Sequence, residues 1–339
     1  MSHLLSPFTL RGVTLKNRIG LSPMCTFSAR NGHVTDFHRA HYAARACGVG
    51  LAMVEATAVE ARGVIAPDDL GIWSDAHGAG LTDLAARIEA AGAVPGIQLA
   101  HAGRKAGSYP VDDEGHTAID VVGPSAIAFD AKRPVPREMN ATELTVVCDA
   151  FVTAARRAVA AGFCVIELHM AHGYLLSSFL SPIPNQRSDE HGGDVIARSR
   201  FPLRVIDAVR AAVPIDLPLL VRVSAIDPEP RGQTIEDTIT FARMAHDHGI
   251  DLIDCSAGGQ TPRGWLKAKP GYQVKFADAV RHGANVPTAA VGVITDAHQA
   301  EAIVAAGRAD LVLIGRALLE NPHWAAAAVA TLSAGAGGE

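Results

Sequence analysis

Short apolar runs alternate along the chain with longer stretches in which Ala, Leu and Val recur at helical spacing. A hairpin is expected first, over residues 8–15, with its turn at Arg11–Gly12. Eight apolar runs of strand length follow it, at residues 18–23, 51–56, 94–99, 164–168, 218–223, 252–255, 288–291 and 311–314. The predicted helices lie between them, at residues 37–46, 81–91, 143–161, 198–211, 235–248, 273–282 and 297–306.

Strands that alternate with helices and are apolar on both faces are typical of a parallel sheet, and eight repeats allow that sheet to close. A doubly wound sheet would be expected to carry a glycine-rich fingerprint after its first strand, which this sequence lacks. The pattern therefore predicts an α/β protein, a (β/α)₈ TIM barrel. We expect one domain over residues 1–339, with a barrel core at about 17–325 and the hairpin in front of it.

One connection departs from this alternation of predicted strands and helices. Residues 103–140 follow the third strand and are rich in Pro, Gly and Asp, without helical periodicity. Loops of that length inside a compact domain are usually active-site lids or disordered segments. We interpret this stretch as an excursion that caps the barrel and covers the substrate.

Composition and charge exclude several classes of partner. The chain has 339 residues, 48% of them hydrophobic, and a net charge of −5 without a basic run, so nucleic acid is not expected to bind. The sequence carries neither a signal-peptide pattern nor an apolar run long enough to span a membrane. Five cysteines without a CxxC spacing argue against a disulfide framework or a zinc site and favour a cytoplasmic location.

In a TIM barrel the chemistry lies at the C-terminal ends of the strands. Gly292 follows the seventh predicted strand, and Gly315 and Arg316 follow the eighth. This is the common phosphate site of such barrels, because glycines expose backbone N–H groups there. The alternative is that both glycines only permit tight turns and that Arg316 lies on the surface.

Arg222 ends the fifth predicted strand, so its guanidinium needs an anionic partner. Two interpretations stay open at this point. A reduced flavin, negative near N1 and O2, would supply the partner, and so would a structural ion pair with a carboxylate such as Glu167.

Three further residues follow the fourth predicted strand. His169 and His172 could converge on one substrate oxygen as N–H donors, as in an oxyanion hole, and Tyr174 could donate a proton. Two histidines without a third ligand make a metal site the weaker alternative. Tyr174 could also be a packed aromatic, and Cys25, at the end of the first strand, a small buried hydrophobe.

Together, these segments resemble the old yellow enzyme family of FMN-dependent NAD(P)H ene-reductases, in particular its thermophilic-like, cysteine-containing subclass. The matching stretches run in the family's order over nearly the whole chain, as LKNRIGLSPMC (15–25), VEATAV (54–59), DLGIWSD (69–75), IQLAHAGRKA (97–106), GPSAIAFD (123–130), IELHMAHGYLLSSFLSP (166–182), VRVSA (221–225), PGYQV (270–274) and ADLVLIGRALL (309–319).

The resemblance implies FMN as cofactor and NADPH or NADH as reductant, in a ping-pong cycle that passes a hydride from flavin N5 to enones, enals, maleimides or nitroalkenes. It implies His169, His172 and Phe27 at the substrate, Tyr174 as proton donor, and Cys25 in contact with both flavin and substrate. The implied cofactor-binding residues are Ser22, Pro23, Met24, Cys25, Ala56, Gln98 and Arg222 around the ring, and Gly292, Gly315 and Arg316 at the phosphate.

Three positions and the C-terminal tail depart from the subclass. Phe27 stands where a substrate-binding tyrosine is common, Met170 where a small residue is usual, and His191 where an aromatic tyrosine is usual. The tail at 333–339 lacks the terminal arginine segment that many relatives insert into a neighbouring subunit. A homodimer or homotetramer is implied, with a shared active site less expected.

Other functions compete with this one. A dienoyl-CoA reductase-like flavoenzyme would be expected to carry an iron–sulfur cysteine cluster and further domains. A redox-inactive barrel that binds a sugar phosphate would use the same phosphate site but needs a Schiff-base lysine or a carboxylate base. A flavin-binding protein without turnover is a further alternative, motivated by Phe27 and Met170.

Overall fold

The computed structural model describes residues 2–107 and 120–335. Its strands are β1 (Phe8–Leu10), β2 (Val13–Leu15), β3 (Ile19–Leu21), β4 (Leu51–Ala58), β5 (Val94–Ala100), β6 (Val122–Gly123), β7 (Arg137–Glu138), β8 (Val165–Met170), β9 (Leu219–Ser224), β10 (Leu252–Ser256), β11 (Thr288–Ala290) and β12 (Leu311–Ile314). Its helices are α1 (Asp36–Ala46), α2 (Gly78–Ala90), α3 (Ala141–Ala160), α4 (Leu175–Leu180), α5 (Val195–Ala212), α6 (Ile235–Asp247), α7 (Val274–Ala284), α8 (Ala297–Ala305), α9 (Arg316–Glu320) and α10 (Trp324–Gly335).

Eight of these strands close into a parallel barrel in the order β3, β4, β5, β8, β9, β10, β11 and β12, with β12 pairing back to β3. The predicted barrel is therefore confirmed, and each of the eight predicted apolar runs supplies one of its strands. A register shift between Val54 and Thr57 interrupts the pairing of β4 with β5. Such bulges re-aim side chains, and this one lies beside the predicted cofactor residue Ala56.

The predicted hairpin is β1 paired with β2 in antiparallel register, Phe8 opposite Leu15. Leu10 and Leu15 join a buried apolar cluster inside the lower barrel, together with residues of β4, β8, β9, β10 and β12. A second, larger cluster lies between the strands and the surrounding helices and includes Phe151, Phe201 and Phe241. The hairpin thus closes the end of the barrel that faces away from the strands' C-terminal ends.

The polar residues begin one step above the inner apolar cluster. Val165, Leu220 and Leu252 belong to that cluster, and the positions two residues further along the same strands are Glu167, Arg222 and Asp254. Because side chains on a strand face the same side every second residue, these three polar groups also face the barrel interior. They form the floor on which the functional site is built.

Three helices were not predicted, namely α4, α9 and α10. The first two have six and five residues, too few for a periodic pattern to show, and half of the twelve residues of α10 are alanine. Within the predicted excursion at 103–140, the described parts include a 3₁₀ turn at Gly103–Lys105 and the short pair β6 and β7. Residues 108–119 of the excursion lie outside the described residues, as do 336–339 of the tail.

None of the helices in the described ranges is long and apolar enough to cross a membrane.

Candidate active site

A cavity of about 380 Å³ opens at the C-terminal ends of the barrel strands. It is lined mainly by residues that follow β3, β10, β11 and β12. The predicted site residues among its lining are Ser22, Pro23, Met24, His172, Arg222, Gly292, Gly315 and Arg316. The structure thus brings eight separately predicted positions to one cavity.

Arg222 lies at the floor of the cavity and is almost fully buried. Its ion pair is with Asp254 of the neighbouring strand, with 3.0 Å between Nε and Oδ2. The carboxylate of the ion-pair alternative is therefore Asp254 and not Glu167, because the parallel register sets Arg222 directly opposite Asp254. Nη1 of Arg222 also makes two long contacts of 3.4 Å, to the Ser22 hydroxyl and the Pro23 carbonyl.

Gln98 is the partner of Glu167. The Gln98 amide Nε2 donates a hydrogen bond of 2.7 Å to Oε1 of Glu167, and the two residues lie opposite each other on β5 and β8. This bond leaves the amide carbonyl oxygen of Gln98 for other contacts. Burial raises the pKa of Glu167, and the Asp254 charge raises it further.

His169 and His172 meet at the mouth, with ring centroids 5.2 Å apart. Nδ1 of His169 accepts the backbone N–H of Ala171 at 3.2 Å, so the proton of the neutral ring is on Nε2. Nε2 of His172 lies 2.6 Å from the Ser256 hydroxyl. Burial, reinforced by the charge of Arg222, lowers the pKa of both histidines well below the usual range, so both rings are neutral.

Tyr174 lies beside both histidines, at centroid distances of 4.9 Å from His169 and 6.5 Å from His172. Burial raises its pKa above the ordinary value, so the phenol keeps its proton at neutral pH. The Lys105 ammonium lies 4.8 Å above the Tyr174 ring and donates a hydrogen bond of 2.8 Å to the His172 carbonyl. A proton donor therefore adjoins two neutral N–H donors.

Cys25 and Ala56 form the side of the site nearest to Tyr174. Ala56 belongs to a small buried cluster against which Cys25 and Tyr174 both pack. Burial raises the pKa of the Cys25 thiol, and the nearby carboxylates of Asp69 and Glu55 raise it further. The thiol is therefore protonated at neutral pH.

The two predicted phosphate glycines adopt unusual backbone conformations. Gly292 has a φ of +122°, which favours glycine, and a Cβ there would approach Gln273 Oε1 to 3.0 Å. Gly315 precedes α9 with φ −100° and ψ −101°, and Arg316 is exposed at the start of that helix. Gly292, Gly315 and Arg316 thus all line the same cavity.

The departures from the resembled subclass occupy distinct places. Phe27 is about half exposed, at 47%, with a φ of +50°. Met170 is buried in the core between strand and helices, so it does not narrow the cavity. His191 lies against the Phe201 ring, with centroids 6.4 Å apart, and near the Glu190 carboxylate.

Several residues that complete the site follow no recognisable pattern in the sequence. Ser256 bridges His172 and Gln273, whose Nε2 donates to the same hydroxyl at 2.9 Å. Trp265 lines the cavity with its ring 5.9 Å from His172. The stretch PGYQV pointed at Gln273 only through the resemblance, and no pattern singled out Ser256 or Trp265.

The described residues contain no group of three or more metal-ligating side chains. They do fit a flavin. A guanidinium has five N–H donors, and the contacts of Arg222 described above use two of its three nitrogens, so donor capacity remains at the cavity that it lines. Gly292 and Gly315 line the cavity, and glycine backbone at such a position suits a phosphate.

A closed parallel barrel whose C-terminal cavity is lined by Arg222, two glycines and Arg316 fits a class of protein, the flavin-dependent oxidoreductases of TIM-barrel fold. The model of the NADH:flavin oxidoreductase / NADH oxidase family matches residues 3–333, and the chain belongs to this family. It is an FMN-dependent oxidoreductase that uses a nicotinamide cofactor. The redox-inactive barrel is thereby excluded.

Two curated relatives cover almost the whole chain, and both are NADPH dehydrogenases. The one from Geobacillus sp. (strain WCH70) is 49% identical over 332 residues, 97% of this chain and 94% of the relative. The one from Bacillus subtilis (strain 168) is 48% identical over 333 residues, 97% of this chain and 95% of the relative.

Solved structures share the fold. Morphinone reductase superposes with a TM-score of 0.84 at 24% identity, over 97% of this chain and 90% of that one. A 2-naphthoyl-CoA reductase superposes with a TM-score of 0.87 at 26% identity, over 95% of this chain. This chain spans about half, 51%, of the length of that reductase.

Proposed function

We propose that this protein reduces C=C bonds conjugated to a carbonyl or nitro group, with NADPH or NADH as electron donor. The observation that carries the proposal is the pair of neutral imidazoles, His169 and His172, beside the protonated phenol of Tyr174. Two N–H donors and one O–H donor at a single mouth suit a reaction that places negative charge on an oxygen and a proton on a carbon.

The histidines are proposed to bind the activating oxygen of the substrate. His169 offers Nε2–H, because its Nδ1 accepts the Ala171 N–H. We assign the Ser256 hydroxyl as the donor to His172 Nε2, since Ser256 also accepts from Gln273, and His172 then offers Nδ1–H. Both donors are fixed before substrate binds, which is the condition for strong stabilisation of a developing oxyanion.

Tyr174 is proposed to deliver the proton to the carbon next to the activating group. Bound FMN supplies the hydride chemistry between nicotinamide and alkene. The remaining roles fall to this chain's residues as the resemblance assigns them. We propose ring contacts for Ser22, Pro23, Met24, Cys25, Ala56, Gln98 and Arg222, phosphate contacts for Gly292, Gly315 and Arg316, and a substrate contact for Phe27.

The experiment that tests the proposal is an anaerobic visible spectrum of the purified protein, followed by NADPH and then by 2-cyclohexenone. We expect flavin absorbance that bleaches with NADPH and returns with the enone. The variant His169→Ala/His172→Ala should still bleach but not recover. His298→Ala, an exposed histidine on α8, is the matched control and should behave like the parent protein.

Two results would contradict the proposal in different ways. A protein that takes up no FMN would contradict the cofactor assignment. Recovery at the parent rate in the double histidine variant would contradict the role of the two imidazoles while leaving the flavin in place.

We also propose a cytoplasmic enzyme that forms a homodimer or homotetramer in which each chain carries a complete active site. The basis of this proposal is that residues of one chain line the cavity at its ring, phosphate and substrate positions, among them Arg222, Gly315 and His172. Light scattering measures the size of the assembly. Loss of enone reduction on dilution to the monomer would contradict the claim that each site is complete.

A further inference from the structure

Two fully buried carboxyl groups lie in the floor of the active site, on either side of the same arginine. Glu167 is on β8, Arg222 on β9 and Asp254 on β10, and neither carboxyl group is exposed at all. Asp254 on β10 is opposite Arg222 in the register of β9 and β10. On the other side of β9, His169 of β8 is opposite Arg222, and Glu167 lies two residues before His169.

The contacts of this cluster leave carboxyl oxygens without partners. Asp254 forms an ion pair with Arg222 at 3.0 Å, but the contact lacks hydrogen-bond geometry. Glu167 receives one hydrogen bond, from Gln98, on Oε1. Within the described residues, Glu167 Oε2 and both Asp254 oxygens are buried without a hydrogen-bond partner.

The charges do not balance if both carboxyl groups are ionised. Among the described residues, Arg222 is the one cation that forms an ion pair with either carboxyl group, and the other two neighbouring groups, Gln98 on β5 and His169 on β8, are neutral. A buried carboxylate without a compensating charge takes up a proton instead of remaining ionised. One proton on the pair makes the cluster of Glu167, Asp254 and Arg222 neutral.

We propose that Glu167 and Asp254 hold one proton between them and act as positioning residues, keeping Arg222 cationic and the Gln98 amide oriented. The inference rests on the proposed function, in which Arg222 and Gln98 contact the flavin. Glu167 Oε1 accepts a hydrogen bond from the NH₂ group of Gln98. This bond orients the amide so that its carbonyl oxygen points away from Glu167. Because the pair holds one proton, it carries a single negative charge, and that charge compensates the cation of Arg222.

The direction of the pKa shifts agrees with this arrangement. Burial raises the pKa of both carboxyl groups, and the charge of Asp254 raises that of Glu167 further, whereas Arg222 lowers both. Two acids coupled in this way lose their protons as a pair and not as independent sites. The first ionisation is compensated by Arg222, and the second is opposed by burial.

A double-mutant cycle on the flavin reduction potential tests the proposal. The variants are Glu167→Gln, Asp254→Asn and the double variant, each measured as FMN-loaded protein at neutral pH with a redox dye. When either carboxyl group is removed, the other gives up the shared proton and still compensates Arg222, so each single variant should shift the potential little. The double variant leaves Arg222 uncompensated and should raise the potential clearly, so that the shifts are not additive.

Asp310→Asn is the control. Asp310 is also a carboxylate held by an arginine, at 2.9 Å from Arg281, but it precedes β12 and so lies at the opposite end of the barrel. Its removal should leave the potential unchanged. Visible absorbance and thermal melting of each variant establish that the FMN-loaded protein is folded.

Two patterns would overturn the proposal. Additive rises in the two single variants would mean that both carboxyl groups are ionised, and no shift in the double variant would mean that both are neutral. Because a dye and not an enone reports the potential, a protein that binds FMN but fails with 2-cyclohexenone would contradict the proposed function and leave this result standing.

A second measurement needs no variant. The reduced-minus-oxidised infrared difference spectrum of the parent protein should contain a carboxylic-acid C=O band that shifts in ²H₂O, because the charge next to Arg222 changes on reduction. Absence of that band would contradict the proposal that Glu167 and Asp254 hold one proton between them.

Discussion

Burial determines which protons the residues of the active site carry. His169 and His172 are neutral because burial lowers their pKa, and Tyr174 and Cys25 are protonated because burial raises theirs. None of the four groups is therefore expected to titrate between about pH 6 and 8. The site offers uncharged hydrogen-bond donors over the whole neutral range.

The substitution Tyr174→Phe tests the proton donor. It removes the hydroxyl and keeps the ring that packs beside His169 and under Lys105. We expect reoxidation by 2-cyclohexenone to slow by about 10²-fold or more, which is the usual contribution of a general acid. Reduction by NADPH serves as the internal control in stopped-flow measurements, and equal slowing of both half-reactions would show that the substitution disturbs the flavin instead.

The reactivity of Cys25 tests the protonation of its thiol. Only the thiolate reacts with iodoacetamide, and a raised pKa keeps the thiolate fraction small until the pH approaches that pKa. We expect Cys25 to be alkylated more slowly than the exposed Cys47 at pH 8, with the difference narrowing as the pH rises. Peptide mass mapping over time measures both sites in one sample. Faster labelling of Cys25 than of Cys47 would mean that its thiolate is stabilised.

Two loops at the barrel mouth are packed backbone against backbone. Gly173, after β8, has a φ of +74°, and a Cβ there would lie 2.2 Å from the Gly259 carbonyl oxygen, after β10. The Ser224 hydroxyl links the same loops, since it accepts the His172 N–H at 2.8 Å and donates to the Gly258 carbonyl at 2.7 Å. The positions of His172 and Tyr174 therefore depend on this contact between elements.

Gly173→Ala should displace these loops. Gly193→Ala is the matched control, because Gly193 also has a positive φ, +97°, but a Cβ there meets nothing within 4 Å. The control should cost about 1 kcal/mol for the backbone conformation alone, and Gly173→Ala clearly more, together with weaker binding of enone. Urea unfolding and the KM for 2-cyclohexenone measure the two effects. Equal losses in both variants would show that the loop contact adds nothing.

The strands of the barrel were predictable because each is a local apolar run of strand length. The pairing between strands could not be predicted from the sequence, as the ion pair of Arg222 shows. Its carboxylate partner, Asp254, is 32 residues away in the chain, and only the register of β9 and β10 makes it the partner instead of Glu167. Ser256 and Trp265 escaped prediction for the same reason, since their role depends on the distance to His172 in space.

At the scale of the whole molecule, stability and chemistry lie at opposite ends of the barrel. The lower interior is an apolar cluster closed by the β1–β2 hairpin, and the upper interior holds Glu167, Arg222 and Asp254 under the cavity. The charged layer is carried by strands whose lower ends are already packed in this apolar cluster. A change at the lower end should therefore alter the free energy of unfolding without altering the site.

Leu15→Ala tests this separation. Leu15 is the last residue of the hairpin, is 1% exposed and packs in the lower cluster, so its truncation leaves a cavity there. We expect the free energy of unfolding to fall by about 2–5 kcal/mol, as is usual for such truncations. Ile215→Ala, at a residue 75% exposed, should change it by less than about 0.5 kcal/mol. In the folded protein, flavin absorbance and the rate of enone reduction should match the parent in both variants. A changed flavin spectrum in Leu15→Ala would mean that the packing of the lower cluster reaches the charged layer, and that the two ends of the barrel are not independent.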